Sequence, residues 1–393
     1  MKTFTKLSIY LSLLTIGLLL SLFTQAQTPD TGAFKPSGHV ISQAFGDYFY
    51  KVHADSLGRG KTQYAGPNYP QNFSGFEFRR VYLGYEYNFT THFTAQVVFA
   101  YEGDVDAKND RIPYLKYANI QWKNIYPNAT LVVGAQPTPT FSFIEEKAWG
   151  YRSVERTLLD MRGIASSNDV GAGLQGKFDK VGNYGYDALI ANGTGVVSDA
   201  TINPTTPPAG ANIFKKFYGD LWAKFIDQKL VIQLYGDYYR TQLQPYEQSK
   251  TTLKGFVAYQ TKPITVGVTV FQQTQQNGAI IKKPTADTAT QIPFGFSVFV
   301  RGNIITDKLA FFARYDNYNP DVNFSTSDTY ATGYTGALQE QFIVAGLDYS
   351  PIKNVHFIPN LWLDIYHNAT DGVTGKVAND NDIVPRITFA WSL

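Results

Sequence analysis

Large apolar side chains recur at every second position along most of this chain, and almost nowhere at helical spacing. From Arg80 to Phe89, Val81, Leu83, Tyr85, Tyr87 and Phe89 share one face, with Arg80, Tyr82, Gly84, Glu86 and Asn88 on the other. After Thr90-Thr91-His92 the alternation resumes with Phe93, Ala95, Val97, Phe99 and Tyr101. A period of two on both sides of a short polar break is a β-hairpin. Read in this way, the chain holds sixteen strands, at about 39–52, 76–89, 93–101, 114–122, 130–136, 169–178, 184–192, 217–225, 230–240, 252–262, 265–274, 294–304, 309–317, 341–349, 355–366 and 385–392. In the last of them Ile387, Phe389, Trp391 and Leu393 alternate with Arg386, Thr388, Ala390 and Ser392.

The connections are ordered as consistently as the strands. Those after even-numbered strands are short: 90–92, 123–129, 179–183, 226–229, 263–264, 305–308 and 350–354. Those after odd-numbered strands are long: 53–75, 102–113, 137–168, 193–216, 241–251, 275–293, 318–340 and 367–384. A sandwich or propeller has no reason to keep that order. A transmembrane antiparallel β-barrel does, with short periplasmic turns, long outer loops and an even strand count. The expected fold is therefore all-β, a barrel of about 16 strands whose final strand closes against the first, with Arg386 turned to the lumen and Ile387, Phe389 and Trp391 to lipid.

Composition sharpens this picture. The chain has 27 Tyr and 28 Phe among 393 residues, a content that suits aromatic girdles and that some secreted β-proteins share. Lys2 and Lys6 precede an apolar run from Leu7 to Phe23, followed by Thr24-Gln25-Ala26. That is the form of a secretory signal peptide over residues 1–26, ahead of one barrel domain over 27–393; a membrane anchor would need a longer run. Cleavage there removes two lysines and leaves 32 basic against 32 acidic residues, so charge gives no argument for nucleic acid. With no Cys, disulfides and thiolate metal sites are excluded.

Catalytic and cofactor signatures are weak. Gly171-Ala172-Gly173-Leu174-Gln175-Gly176 spells a dinucleotide fingerprint, yet its flanks continue as strand where a helix is required. The inner-face Gly171 and Gly173 instead suit a thin wall. The five histidines (His39, His53, His92, His356, His367) are scattered, without metal-ligand spacing, and no enzyme, cofactor or metal is expected.

The longest connection, 137–168, mixes bulky apolar and charged residues: Phe141, Phe143, Glu145, Glu146, Lys147, Trp149, Arg152, Glu155, Arg156, Asp160 and Arg162. That mixture suits a segment folded into the lumen, whereas an ordinary charged loop would be solvated. Alternation adds Arg80, Lys224, Arg301, Arg314 and Arg386 to the inner face, beside Glu86, Glu102, Asp220, Asp237, Asp316, Asp348 and Asp364. The candidate constriction and pore-lining residues are thus Arg80, Glu145, Glu146, Arg152, Glu155, Arg156, Arg162, Arg301, Arg314 and Arg386.

Phe78-Arg79-Arg80-Val81-Tyr82-Leu83-Gly84-Tyr85-Glu86, Ser153-Val154-Glu155-Arg156-Thr157 with Asn168-Asp169-Val170-Gly171, and Tyr186-Asp187-Ala188-Leu189-Ile190-Ala191-Asn192-Gly193-Thr194-Gly195 resemble the phosphate-selective porins O and P. The resemblance covers residues 76–195 and extends beyond them only in architecture. It implies a homotrimeric sixteen-stranded channel in the outer membrane of a Gram-negative bacterium, surrounded by lipid, with the third outer loop folded inward. Its solutes would be small and hydrophilic, inorganic anions such as phosphate among them. The departure from that family is a lumen of both signs, which does not concentrate phosphate by its net field. A barrel whose long loops serve as adhesin or receptor is the alternative.

Overall fold

A computed structural model describes residues 34–393 other than 61, 66–67, 104–109, 194–213, 243–246, 283–285, 326–329, 331–333 and 368–378. The expected signal peptide and most of the loops at 193–216 and 367–384 lie outside the described residues.

Consecutive strands pair antiparallel around a closed ring. They are β1 (Ser37–Tyr50), β2 (Ser74–Asn88), β3 (Phe93–Tyr101), β4 (Tyr114–Lys123), β5 (Ala129–Pro137), β6 (Asn168–Lys177), β7 (Tyr184–Ala191), β8 (Lys216–Phe225) and β9 (Leu230–Gln242). There follow β10 (Glu247–Gln260), β11 (Ile264–Lys282), β12 (Ala286–Gln291), β13 (Phe294–Ile305), β14 (Leu309–Asn319), β15 (Gln339–Ile352), β16 (Val355–His367) and β17 (Asp380–Ser392). β12 and β13, separated at Ile292-Pro293, both pair with β11 and fill one place in the wall, so the barrel has sixteen positions. The seam is closed by β1 against β17, from Gln43 opposite Ser392 to Phe49 opposite Arg386, as the terminal alternation predicts.

One expectation needs correction. The segment 275–293 is not simply a loop: β11 runs on to Lys282 and returns as β12, with Ala279 opposite Ala289 and Lys282 opposite Ala286. β9 and β10 extend similarly to Gln242 and from Glu247. These extensions are rich in Gln, Asn, Thr and Ala. Beyond the lipid band neither face must be apolar, so the ladder persists without the alternation that would announce it.

The outward face carries the apolar residues. Leu83, Ile120, Leu253 and Ile387 are 59%, 57%, 64% and 51% exposed, which is stable only in hydrocarbon. Aromatic pairs gather at the short-turn end, with Phe93 stacked on Trp122 at 5.4 Å and Tyr87 edge-on to Phe89 at 5.0 Å. The turns are closed by local polar bonds. In the β6–β7 turn the Asp179 carboxylate accepts the N–H groups of Gly182, Asn183 and Tyr184.

Of the register shifts in the wall, two turn an extra cation inward. Phe45 faces Arg80 but Gly46 faces Phe78, which leaves Arg79 as the extra residue in β2. Val98 faces Tyr117 but Phe99 faces Leu115, which leaves Lys116 as the extra residue in β4. In each case two consecutive residues turn inward. Gly134 in β5 has φ +121°, and a Cβ there would lie 2.2 Å from the Ala118 carbonyl oxygen. Gly134→Val should therefore prevent closure of the wall, seen as loss of the compact, heat-modifiable band in gel electrophoresis.

Candidate functional site

The segment between β5 and β6 enters the lumen, carrying two short helices, α1 (Glu145–Trp149) and α2 (Leu158–Met161). Once inside, its backbone carbonyls need donors, since bulk water is excluded around them. The wall supplies basic side chains. Arg79 donates to the carbonyls of Ser153 and Val154, and Arg386 also reaches Val154 at 3.2 Å. Arg301 donates to Ala148 at 2.7 Å, Arg314 to Arg156 at 2.6 Å and Lys254 to Thr140.

Apolar contacts complete the attachment. Trp149 packs edge-on against Phe299 and Phe312, and Tyr151 lies on Phe312 at 4.3 Å. Phe256, Phe342, Val344, Ile358, Trp362 and Val384 extend this cluster over the inner face of β10–β17. A second group joins Phe141, Leu158 and Leu159 to Phe271. Part of the interior is therefore a hydrophobic core, built by the bulky apolar residues of the inserted loop against the wall.

A fully buried carboxylate ties these parts together. Asp47 on β1 meets Arg79 at 2.7 Å and Arg386 at 2.9 Å, and accepts hydroxyl bonds from Tyr64 at 2.7 Å and from Thr388. Tyr64 belongs to the first outer loop, which thus also folds inward, stacking on Phe49 at 4.3 Å. Lys51 fixes the same loop by donating to the Tyr64 carbonyl and pairing with Asp382 at 2.8 Å.

The predicted residues divide into two sets. Glu145, Arg162, Arg301, Arg314 and Arg386 hold the inserted loop to the wall. Glu145 pairs with Lys254 at 2.8 Å and accepts from Thr269, while Arg162 pairs with Glu340 and with Asp364 at 3.5 Å. Arg314 is occupied by Asp316 at 2.6 Å.

The other set lies on the opposite side of the loop. There the loop and the wall of β1–β5 enclose a space of about 360 Å³, bordered by Gln43, Tyr82, Gln96, Lys116 and Tyr117 on the wall and by Ser142, Phe143, Glu146, Lys147 and Arg152 on the loop. Arg152 pairs with Glu146 and Asp160, each at 2.9 Å. Arg80 lies 3.9 Å from Glu102, which Lys116 approaches to 2.6 Å. Arg156 approaches Glu155 at 3.5 Å and Asp160 at 3.7 Å. Lys147 is exposed at this space, and among the described residues no acid lies within ion-pairing distance of it.

Alternation missed Arg79 and Lys116, because each is the extra residue of a bulge. Gly173 does leave room on the inner face: a Cβ there would lie 2.7 Å from the Gln136 side chain, which donates to the Gly171 carbonyl. Among the described residues no group of three or more metal-type ligands is present.

Burial alone lifts the Glu155 carboxyl, but Arg156, Arg79 and Arg80 together outweigh it and hold it below the ordinary carboxylate range. At Glu146 burial prevails over Arg152, and its carboxyl titrates above that range.

No protein-family model matches the chain, and no curated protein does. Solved structures are similar to it in fold. The anion-selective porin from Comamonas acidovorans superposes with a TM-score of 0.61 at 10% identity, covering 91% of this chain and all of that one. The trimer form of OmpT, an outer-membrane protein of Vibrio cholerae, gives 0.54 at 11% identity, over 92% and 100% of the two chains. Salmonella typhi OmpF, solved with daunomycin, gives 0.55 at 11% over 90% and 97%. At such identities the likeness is one of fold, the closed sixteen-position barrel of porins. A closed edge and an apolar outer band are what a barrel needs in order to cross a membrane.

Asp47→Ala leaves two buried guanidinium groups without their carboxylate and should cost about 3–5 kcal/mol in denaturant unfolding of the refolded barrel. The same variant should make the loop near Val154 accessible to protease.

Proposed function

We propose that the chain is a porin through which small hydrophilic solutes diffuse passively, with no chemistry of its own. The route is the space between the inserted loop and the wall of β1–β5, on the side of the loop away from its hydrophobic attachment. The reading rests on one observation above all: a loop anchored along one side of a closed barrel leaves along the other a gap in which Lys116, Glu146, Lys147 and Arg152 stand among Ile41, Tyr82, Val98, Tyr117 and Phe143.

We further propose a preference for anions, inorganic phosphate among them. Lys116, Glu146, Lys147 and Arg152 line the gap, and behind them Arg80 and Arg156 stand with Glu102, Glu155 and Asp160 in ion pairs, while Asp187 faces Lys147 from farther off. Glu102, Glu146, Glu155 and Asp160 each lie within ion-pair distance of a cation, whereas Lys147 has only Asp187, beyond that distance. An exposed, unpaired ammonium at the narrow part of a low-dielectric passage favours entry of negative charge. Assembly as a homotrimer is supported by the trimer form of the similar Vibrio cholerae protein.

Purified protein in a planar bilayer should give discrete conductance steps, and folded protein without steps would overturn the channel reading. In a salt gradient the reversal potential should indicate anion preference, and Lys147→Glu should move it toward cations while leaving the steps in place.

The preference should also depend on pH. As pH falls, Glu146, whose carboxyl titrates above the ordinary range, loses its charge before Glu155 does and leaves Arg152 less neutralised. Anion preference should therefore rise in mildly acidic solution. Glu155 titrates lower, so the stability that its charge contributes is complete above its unfolded-state value and is lost as pH drops through the folded one. The reversal potential measured from neutral to acidic pH, alongside loop proteolysis, should separate the two steps.

A further inference from the structure

A second lumenal recess, of about 420 Å³, lies at the short-turn end against the β10–β14 wall, within the span of small-molecule pockets. Strand register builds it. The Gln260 N–H donates to the Lys229 carbonyl, Gln260 stands opposite Thr265, and Thr265 opposite Arg301. Four inward side chains therefore form one polar row from the start of β9 to β13. The next row toward the outer end is apolar, with Ala258 opposite Gly267 and Gly267 opposite Phe299. A Cβ on Gly267 would lie 2.3 Å from the Phe299 ring, so that ring covers the strand and roofs the recess. The other end is open, with exposed Lys229 and Lys262 at the mouth.

The polar groups of this row are prepared for a ligand. Arg301 is held by its Nε, which donates to Ala148, and its guanidinium lies on Gly150, where a Cβ would sit 3.3 Å away. Its Nη1 and Nη2 bond to nothing among the described residues and remain accessible at the recess. Its titratable neighbour is the Tyr151 phenol, not a carboxylate. Thr265 is only 4% exposed, and its hydroxyl likewise has no protein partner yet is not sealed off. Three cations border the recess and no acid does. Asp227 lies 3.5 Å from Lys229 and Asp348 2.9 Å from His356, both outside the lining. Adjacent strands are ~4.8 Å apart, so the backbones of Lys229 and Arg301 stand about 14 Å apart, and their long side chains converge on a molecule of a few carbons.

We propose that this recess binds a small organic dicarboxylate from the periplasmic side. One carboxylate takes the free fork of Arg301 and the Thr265 hydroxyl, a planar group on a planar donor pair. The other meets Lys229 and Lys262 at the mouth, and Gln260 and Asn303 serve the polar atoms between. The site is separate from the gap and does not rest on the channel reading, because binding is measured without a bilayer.

Isothermal titration calorimetry of the folded protein in detergent tests it. Malate should bind at one saturable site per chain, with acetate and inorganic phosphate each weaker by at least about tenfold. Thr265→Val, which keeps the shape of the side chain, and Arg301→Lys, which keeps its charge and loses the fork, should each weaken malate by about tenfold. Lys229→Gln with Lys262→Gln should bring malate down to the level of acetate. Lys180→Glu, on the β6–β7 turn across the barrel, should leave malate binding unchanged.

Absence of saturable malate binding to folded wild type would overturn the proposal. Equal affinity for malate and acetate would do the same, since the lysines at the mouth would then hold nothing. Phosphate binding as tightly as malate would assign the recess to inorganic anions and also overturn it. So would undiminished malate binding by Thr265→Val and Arg301→Lys proteins that retain the compact, heat-modifiable band.

Discussion

A polypeptide segment drawn into a barrel must find partners for its carbonyl groups, and this requirement governs the interior. Arg79, Arg301, Arg314, Arg386 and Lys254 answer it, each donating to a backbone oxygen of the inserted loop. Their charges must then be balanced where water cannot do so, which explains the buried Asp47 between two guanidinium groups and Asp316 beside Arg314. Asp47 also receives Tyr64, so two outer loops converge on one carboxylate.

The filled side determines the character of the open side. With Trp149, Phe299, Phe312 and Trp362 packed together, the loop is supported along its length by β10–β17. The gap can then stay open without collapsing. Its charges are mostly compensated locally, through Glu102 with Lys116 and Glu146 with Arg152. In such a field a side chain outside the ion pairs counts for more than the sum over the barrel, and Lys147, with Asp187 only at longer range, has that place.

Much of this was legible in the chain because lipid imposes a strict rule. Val81, Leu83 and Tyr85 had to face outward, so strands, turns and seam could be read from alternation alone, and the inserted loop from its mixture of apolar and charged residues. The roles of the lumenal arginines were not legible. A period of two says that Arg314 and Arg386 point inward, but it cannot say whether they meet solute or a loop carbonyl. Nor could it find β12, which lies beyond the band where the rule operates, or the inward turns of Arg79 and Lys116, which exist because the rule is locally suspended.

Those two bulges have a consequence for how such a pore can change. Each adds one residue without a partner on the neighbouring strand, and each adds a cation to the interior. Deleting the extra residue of β4 would restore plain alternation there and remove an inward charge, whereas the same change in β2 would take Arg79 from Asp47 and from the loop carbonyls it holds. Insertions and deletions are usually destructive in strands. Here they offer a way to alter the electrical character of the lumen one unit at a time, while the lipid-facing surface remains as it was.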